Sequence, residues 1–520
     1  MTGEAPALVG LSAGRVVVLP PLAPESQAYA LARYSRSPDT ISDSLRWVHE
    51  HSAERFLDKF YFEYGHASIA DLGHVAICLE GVSELAAAEV LHESLMDAQQ
   101  KSTRYQDFSS VPLLFPVDSA GGDSRARAEV RDLFSRASAA LLAAYRDVHC
   151  AELAALMRQH PRPDGMEPDR YERTLAARAF DVARYLLPVA TTTNLGVVMS
   201  IRTLERTIGR LAVSPHVELR LLAERLAEAC RAPADPTWAE LTGSGSDPRP
   251  LVPTLARHVN PHAYAADVRE RARAALEAVP SSAAGALALG STGIPRVPSW
   301  RESAGAAGQV ELVSLQPLET EILATLFYRD ARLPYRHWAE VVGGMAIPQR
   351  QDLLAGILGD AGPHDEPPGE LRAGYRFVFD IEMDWGGFRD LHRHRRCQQV
   401  VQRFDLEAGL QLPPVVASAS TSSRIEAAHE AAVSAARKVA AIAGEDVAVY
   451  LLPFAHRIRA LFKMDFAELQ YVTRLRSGKK GHDSYRAIAW AMAQAARNAE
   501  PGLAAFVVAT SPDERDPLIR

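Results

Sequence analysis

Apolar and polar positions along the chain fall into two successive blocks that run through the same order of elements. Each block opens on a short aliphatic run, Arg15-Val16-Val17-Val18-Leu19 in the first and Val310-Glu311-Leu312-Val313-Ser314-Leu315 in the second. A Pro-Leu step and a helical stretch follow each run. A second strand comes next, His74-Val75-Ala76-Ile77-Cys78-Leu79-Glu80 in one block and Tyr375-Arg376-Phe377-Val378-Phe379-Asp380-Ile381 in the other. Their β-branched and aromatic residues suit a pleated surface. After the strand come a helix-like stretch and a polar, basic, Gln-containing run, at 92–106 and again at 392–405. Further on, Ala183-Arg184-Tyr185-Leu186-Leu187-Pro188 recurs as Ala448-Val449-Tyr450-Leu451-Leu452-Pro453, each preceded by Asp-Val. Duplication of one unit explains this order better than two unrelated domains. The expected organisation is a first domain over 1–230, a second over 309–520, and a Pro-, Gly-, Ser- and Ala-rich linker or surface arm over 231–308. A helix over roughly 263–279 interrupts the linker. Within it, Gly290-Ser291-Thr292-Gly293 lacks the Lys and the strand–helix context of a phosphate loop.

Composition narrows the class. Of 520 residues, 47% are apolar and 23% charged, which suits a soluble globular chain and excludes collagen-like, disordered and disulfide-scaffold classes. Lys plus Arg is 57 against 64 for Asp plus Glu, a net −7, so no global basic excess recruits a nucleic acid polymer. Cys78, Cys150, Cys230 and Cys397 have neither metal-ligand nor redox spacing, which points to a reducing compartment. The first residues lack a basic signal-peptide region, and no run approaches about 18 uninterrupted apolar residues. The expectation is a cytoplasmic protein that spans no membrane.

The densest chemistry lies in His392-Arg393-His394-Arg395-Arg396-Cys397-Gln398-Gln399. Five consecutive cationic or titratable residues after a core-facing segment are costly unless something anionic or aromatic offsets them. A solvated basic edge is one reading. A metal held by His392 and His394, on one face of a strand, is another, though no third ligand stands nearby in sequence.

Arg393-His394-Arg395 resembles the signature of the flavin-dependent thymidylate synthases (ThyX). Gly65-His66-Ala67-Ser68, Glu80-Gly81-Val82-Ser83, Gln99-Gln100-Lys101-Ser102-Thr103-Arg104-Tyr105 and the Ala183–Pro188 block are similar to further motifs of that family. The resemblance covers most of 10–230 and 308–500. It implies an α/β (α+β) fold of two tandem ThyX-like domains, each an antiparallel sheet with packed helices.

The two blocks depart from the family pattern in complementary ways. Where Arg-His-Arg should stand, the first has His92-Glu93-Ser94; where the later Ser and Arg should stand, the second has Arg403 and Asp405. Arg184 is answered by Val449, Ser200-Ile201-Arg202 by Asp465-Phe466-Ala467, and Leu211 by Arg476. By this resemblance the first block keeps the nucleotide half of the signature and the second the flavin half. The resemblance then implies Arg476 as the catalytic arginine and Gln100, Ser102, Arg104 and Arg184 on the substrate. Arg393, His394, Arg395, His66, Ser68 and Arg202 would serve FAD, with no metal. Asp71 and Leu72 stand where many members have Glu and His, and Cys397 is expected to be a bystander. The Lys479-Lys480-Gly481-His482 run is expected to be a solvated loop. The implied activity is conversion of dUMP to dTMP with methylenetetrahydrofolate and NADPH, on sites shared between copies, in a homodimer forming a pseudo-tetramer. A paralogue acting on UMP or another pyrimidine nucleotide, and a decayed flavin- or nucleotide-binding protein, are the alternatives.

Overall fold

The computed structural model describes residues 17–518, apart from 20, 52, 59–66, 117–123, 246–247, 255–258, 278–287, 290–294, 297–308, 314–316, 360–367, 372, 501–503 and 505–506. The chain falls into two compact units, interleaved along it and cutting across the two sequence blocks. One is drawn from Met1–Val75, Met199–Glu205 and Leu226–Val259; the other from Ala76–Val198, Arg206–Arg225 and Asn260–Arg520.

In the smaller unit the helix Pro24–Tyr34 starts on a proline at its first turn, where a missing N–H costs nothing. It buries Ala28, Tyr29, Ala30 and Ala32. Buried Glu25 accepts hydrogen bonds from the Thr254 amide and hydroxyl, both at 2.8 Å. The early part of the expected linker is therefore tied down by a buried carboxylate.

The strands are β1 (His74–Ser83), β2 (Met96–Gln100), β3 (Thr192–Ser200), the two-residue pair β4 (Ala288–Leu289) and β5 (Pro295–Arg296), β6 (Gln309–Val313), β7 (Phe377–Asp384), β8 (Gln398–Val401) and β9 (Arg457–Met464). The principal sheets have the orders β1-β3-β2 and β6-β7-β9-β8, the second antiparallel throughout. Within them β1, β3 and β2 take the same places as β7, β9 and β8. The counterpart of β6 is missing among the described residues: Val17–Leu19 form no strand, while Arg15 and Val16 lie outside them.

Every residue of β7 is buried, because both faces of its sheet are covered. Phe377, Phe379 and Ile381 face one core and Val378 the other, with the helix Leu318–Ala331 lying on that second face. The charged residues inside this strand persist because they are paired. Asp380 accepts from Arg459 Nε and Nη2 (2.8 and 3.0 Å), the Tyr328 hydroxyl (2.8 Å) and the Tyr335 amide (2.8 Å).

Long helices back the sheets. The helix Ser124–Gln159 buries Val130, Phe134, Ser138, Leu141, Tyr145, Val148, Glu152 and Ala155, a seam at spacings of three and four. It packs along the helix Ala419–Ala443. The helix Ala263–Glu277 forms within the span expected for it, but it is no surface arm. Ala265, Val268, Ala272 and Leu276 are buried at helical spacing, and Val268, Ala272 and Leu276 join the core of the helices Leu318–Ala331 and Tyr335–Gly343.

The repeated Tyr-Leu-Leu-Pro segments meet each other. Pro188 and Pro453 form an antiparallel bridge. Val189 N donates to Leu452 O and Phe454 N to Leu187 O, both at 2.9 Å. Ala190 N donates to Tyr450 O (2.9 Å) and Ala455 N to Tyr185 O (2.8 Å). Each bond has its partner with the two segments exchanged, the reciprocity of a two-fold interface. One hydrophobic core runs through both segments and both blocks.

Candidate functional site

Five elements of the larger unit carry the candidate residues. Arg104 sits in the turn after β2, and Arg184 starts the 3-10 turn Arg184–Leu186 closing the helix Pro168–Ala183. Asp390 and the Arg-His-Arg run lie at and after the end of the helix Trp385–Leu391, whose N-terminus Asp384 caps through the Gly387 amide. Arg476 ends the helix Phe466–Arg476, and Tyr485 stands in the first turn of the helix Asp483–Ala499.

Asp390 is where these elements converge. Arg184 donates to Asp390 Oδ2 from Nη1 and Nη2, both at 3.3 Å, and to Gly386 O at 3.2 Å. Burial opposes ionisation of Asp390. Arg184, Arg104, Arg393 and Arg476 together overcome it and hold the carboxyl well below the usual range. Two of these arginines come from the first block and two from the second, within a single chain.

Arg104 is engaged further. It donates to both Asp181 oxygens (2.7 and 3.2 Å), to the Tyr485 hydroxyl (3.1 Å) and to Lys480 O (3.4 Å). Although burial works against its charge, Asp181 and Tyr485 keep it cationic. Ser102 Oγ accepts from the Arg104 amide at 3.2 Å and shapes this turn. Gln100 donates to Glu84 Oε2 at 2.6 Å, and Arg389 pairs with the same oxygen at 2.7 Å. Glu84 Oε1, Arg184 Nε and Arg393 Nε are buried with no hydrogen-bond partner among the described residues.

A relay fixes Arg476. Its Nε donates to His394 Nε2 at 2.7 Å, so that ring nitrogen accepts. The ring proton therefore sits on Nδ1, which meets Glu468 Oε1 at 3.2 Å. Burial lowers the His394 pKa, with Arg476 adding to the shift and Glu468 opposing it. His392 is occupied too, with Nδ1 2.7 Å from Gln399 Oε1 and Nε2 3.0 Å from Ala88 O. Both histidines of the possible metal pair thus spend their nitrogens on protein partners. Cys397 is buried and its thiol is pushed up to about 12, mainly by burial.

The structure does not gather every expected residue here. Arg395 pairs with Asp97 at 2.7 Å and lines a separate cavity of about 260 Å³. Arg202 belongs to the smaller unit and pairs with Asp71 at 3.1 Å. His66 lies outside the described residues, as does the side chain of Ser68. Sequence reasoning missed Asp390, Asp181, Tyr485, Glu468 and Glu84. Asp390 had a signal: an acid three residues before Arg393, next to the buried Arg389.

The family model for thymidylate synthase complementing protein (Thy1) matches residues 18–234 and 372–502. A UPF0159 protein of Chlamydia muridarum is 26% identical over 476 residues, 89% of this chain and 81% of that protein. The UPF0159 protein Ta1429 of Thermoplasma acidophilum is 24% identical over 515 residues, 92% and 93% of the two chains. A flavin-dependent thymidylate synthase of Mycobacterium sp. (strain JLS) is 29% identical over 168 residues, 32% of this chain and 61% of that protein. A UMP/dUMP methylase of Streptomyces cacaoi superposes with a TM-score of 0.29 at 16% identity, covering 42% of this chain and 87% of that one.

Proposed function

Because the chain belongs to the thymidylate synthase complementing protein family, we propose that it is a flavin-dependent methyltransferase of a pyrimidine nucleotide, converting dUMP to dTMP with methylenetetrahydrofolate and NADPH. The observation that carries this reading is the buried pair of Arg184 and Asp390, a carboxyl held below its usual range against burial by Arg184 and Arg104 of the first block and Arg393 and Arg476 of the second. The site is composite, and the two blocks that build it are copies of one duplicated unit.

Arg104 and Arg184 are suited to clamp the nucleotide phosphate by charge-assisted hydrogen bonds, with Ser102 holding the turn. Arg184 must exchange Asp390 for the phosphate as the nucleotide enters. The Glu468–His394 relay takes only Nε of Arg476, leaving its terminal nitrogens to face the pyrimidine and stabilise charge gathering there. FAD, when bound, supplies the reducing equivalents that methylation from a methylene donor requires. The chain fits an acceptor-rich group of this kind at Arg393, whose buried Nε has no partner among the described residues. His394 and Arg395 flank it in sequence, and Gln100 and Glu84 line the nucleotide side.

The test is the flavin spectrum of FAD-loaded protein under anaerobic conditions, followed on adding NADPH with and without dUMP, and then product analysis with methylenetetrahydrofolate. Nucleotide-dependent bleaching and dTMP formation are expected. Turnover of UMP in preference to dUMP would move the assignment to a ribonucleotide methylase. A protein that retains no flavin would refute the reading.

A further inference from the structure

We propose that the segment Val507–Leu518 is a strap that positions Arg476 by holding the residue directly after it. This rests on the reading of Arg476 as the arginine at the pyrimidine. The segment forms no helix or strand and lies beyond the stretches matched by the family model. Its backbone carbonyls are nonetheless held by three arginines. Arg497 donates to Val507 O from Nε and Nη2 (3.0 and 2.6 Å), and Arg486 Nη2 donates to Ser511 O (3.1 Å) and Glu514 O (2.9 Å). Arg178, on the helix Pro168–Ala183 of the first block, reaches Asp516 O (3.3 Å) and Pro517 O (3.4 Å).

Arg486 joins the strap to the site. It is 1% exposed, and a buried guanidinium must find acceptors for its donors. Nη1 takes Asp483 Oδ1 at 3.3 Å, Nη2 takes the two strap carbonyls, and Nε takes Ser477 O at 3.0 Å. One rigid planar group therefore holds both the strap and the residue after Arg476. The strap also grips Ser477 itself, since the Thr510 amide donates to its Oγ at 2.8 Å. Ser477 is fully buried, and its own amide closes the helix Phe466–Arg476 on Thr473 O at 3.2 Å.

The run Lys479-Lys480-Gly481-His482 is solvated, as expected, only at its lysines; Gly481 and His482 are buried. A Cβ at Gly481 would lie 2.8 Å from both Arg486 Cγ and Tyr485 Cε2, so the loop packs on Arg486 only without a side chain there. On the first block, Arg104 Nη2 donates to Lys480 O at 3.4 Å. His482 Nδ1 accepts from the Ser484 amide, so Nε2 carries the proton and donates to Asp181 O at 2.9 Å. The pairs Lys479–Glu514 (3.0 Å) and Arg515–Asp483 (3.1 Å) tie strap and loop together at the surface. A catalytic group misplaced by about 1 Å loses about 10²-fold in rate, and the relay through His394 fixes only Nε of Arg476. The strap fixes the backbone from which that side chain springs.

The experiment measures steady-state dTMP formation and amide hydrogen exchange in the full chain, in Ser477→Ala and in the double variant Glu514→Lys/Arg515→Glu. The first removes the acceptor of the Thr510 amide. The second sets like charges against Lys479 and Asp483 and alters only side chains at the surface, so it tests the strap even where the buried variant fails to fold. Each is expected to lower kcat about tenfold or more and to speed exchange over residues 476–482. Arg104 keeps both Asp181 oxygens, so the KM for dUMP should stay within about twofold, with FAD content unchanged. Unchanged kcat in both variants, or a raised KM with kcat intact, would overturn the proposal. An inactive wild-type chain would refute the proposed function and not the strap, which faster exchange at these residues would still support and unchanged exchange would overturn.

Discussion

Asp390→Asn separates the two roles that a carboxylate among four arginines can have. Asp390 is 14% exposed at its side chain and its partner Arg184 only 2%. Removing one member of a buried ion pair costs about 3–5 kcal/mol. Asparagine keeps an acceptor oxygen and Arg184 keeps Gly386 O, so a loss near the lower end, about 3 kcal/mol, is expected. An incoming phosphate gains in the same exchange. A unit charge about 6 Å away at an effective dielectric near 20 is worth about 3 kcal/mol, which salt and residual solvent reduce. Affinity for dUMP or inorganic phosphate is therefore expected to rise about 10- to 100-fold. The assay pairs thermal unfolding with calorimetry at low and moderate salt, and the two effects have opposite signs. Lower stability with equal or weaker phosphate binding would refute the view that Asp390 occupies the phosphate's place, and would assign it to the base instead.

Other consequences are as direct. Glu370 is held to about 2 by Arg269 and Arg329 against the cost of burial. Its folded pKa lies below the ordinary 4.5, so it contributes about 3 kcal/mol above that pH, lost as pH falls toward 2. Glu370→Gln should accordingly flatten acid unfolding monitored by circular dichroism across that window. His429 and His482 are held to about 3 and His456 to about 4, in each case chiefly by burial. Their neutral forms stabilise the fold above the unfolded value of about 6.5, and this contribution is lost as pH falls through the folded values. The melting temperature should therefore drop from pH 7 to pH 5, and a flat profile would contradict their burial. Cys78 and Cys150 are exposed, whereas Cys230 and Cys397 are buried with thiols raised to about 11 and about 12. Native protein should show two fast thiols with a disulfide reagent and four after unfolding. Finally, Arg104→Ala and Arg476→Ala should each abolish methylation, and a mixture of the two chains should stay inactive, since both residues act on the same Asp390 within one chain.

Much of this architecture was legible because it rests on local pattern. The runs around His74–Glu80 and Tyr375–Ile381 become β1 and β7, and the shared Ala-x-Tyr-Leu-Leu-Pro block marks the segment through which the two halves meet. The divergent motifs singled out Arg104, Arg184, Arg393 and Arg476, and the charges of all four bear on Asp390. Arg395 and Arg202 do not join them, because adjacency in a motif says nothing about direction. Residues 393 and 395 are two apart on an irregular turn, and Arg395 pairs instead with Asp97. The acidic members were hidden for a related reason. Asp390, Asp181 and Glu468 matter by spatial pairing across 74 to 206 residues of chain, and no spacing rule reaches so far. The role of the helix Ala263–Glu277 was masked by the Pro- and Gly-rich sequence around it, although its apolar stripe was present.

Two similar halves joined in one chain can differ position by position. In a symmetric assembly every substitution strikes all equivalent sites at once, whereas here each position can change alone. The counterpart of Arg184 is Val449, 5% exposed, and the counterpart of Arg476 is Leu211, 1% exposed; both now fill apolar core. The carboxylates at these strand ends differ as well. Ser83 at the end of β1 donates to Glu218, which also accepts from Tyr450, whereas Asp384 at the end of β7 accepts from Ser484 and adds to burial in raising the pKa of Tyr185. Only the second arrangement lies at the short helix that carries Asp390, whose N-terminus Asp384 caps. The positions that match Arg184 and Arg476 are apolar, so the charges that bear on Asp390 have no equivalent at those places in the other half.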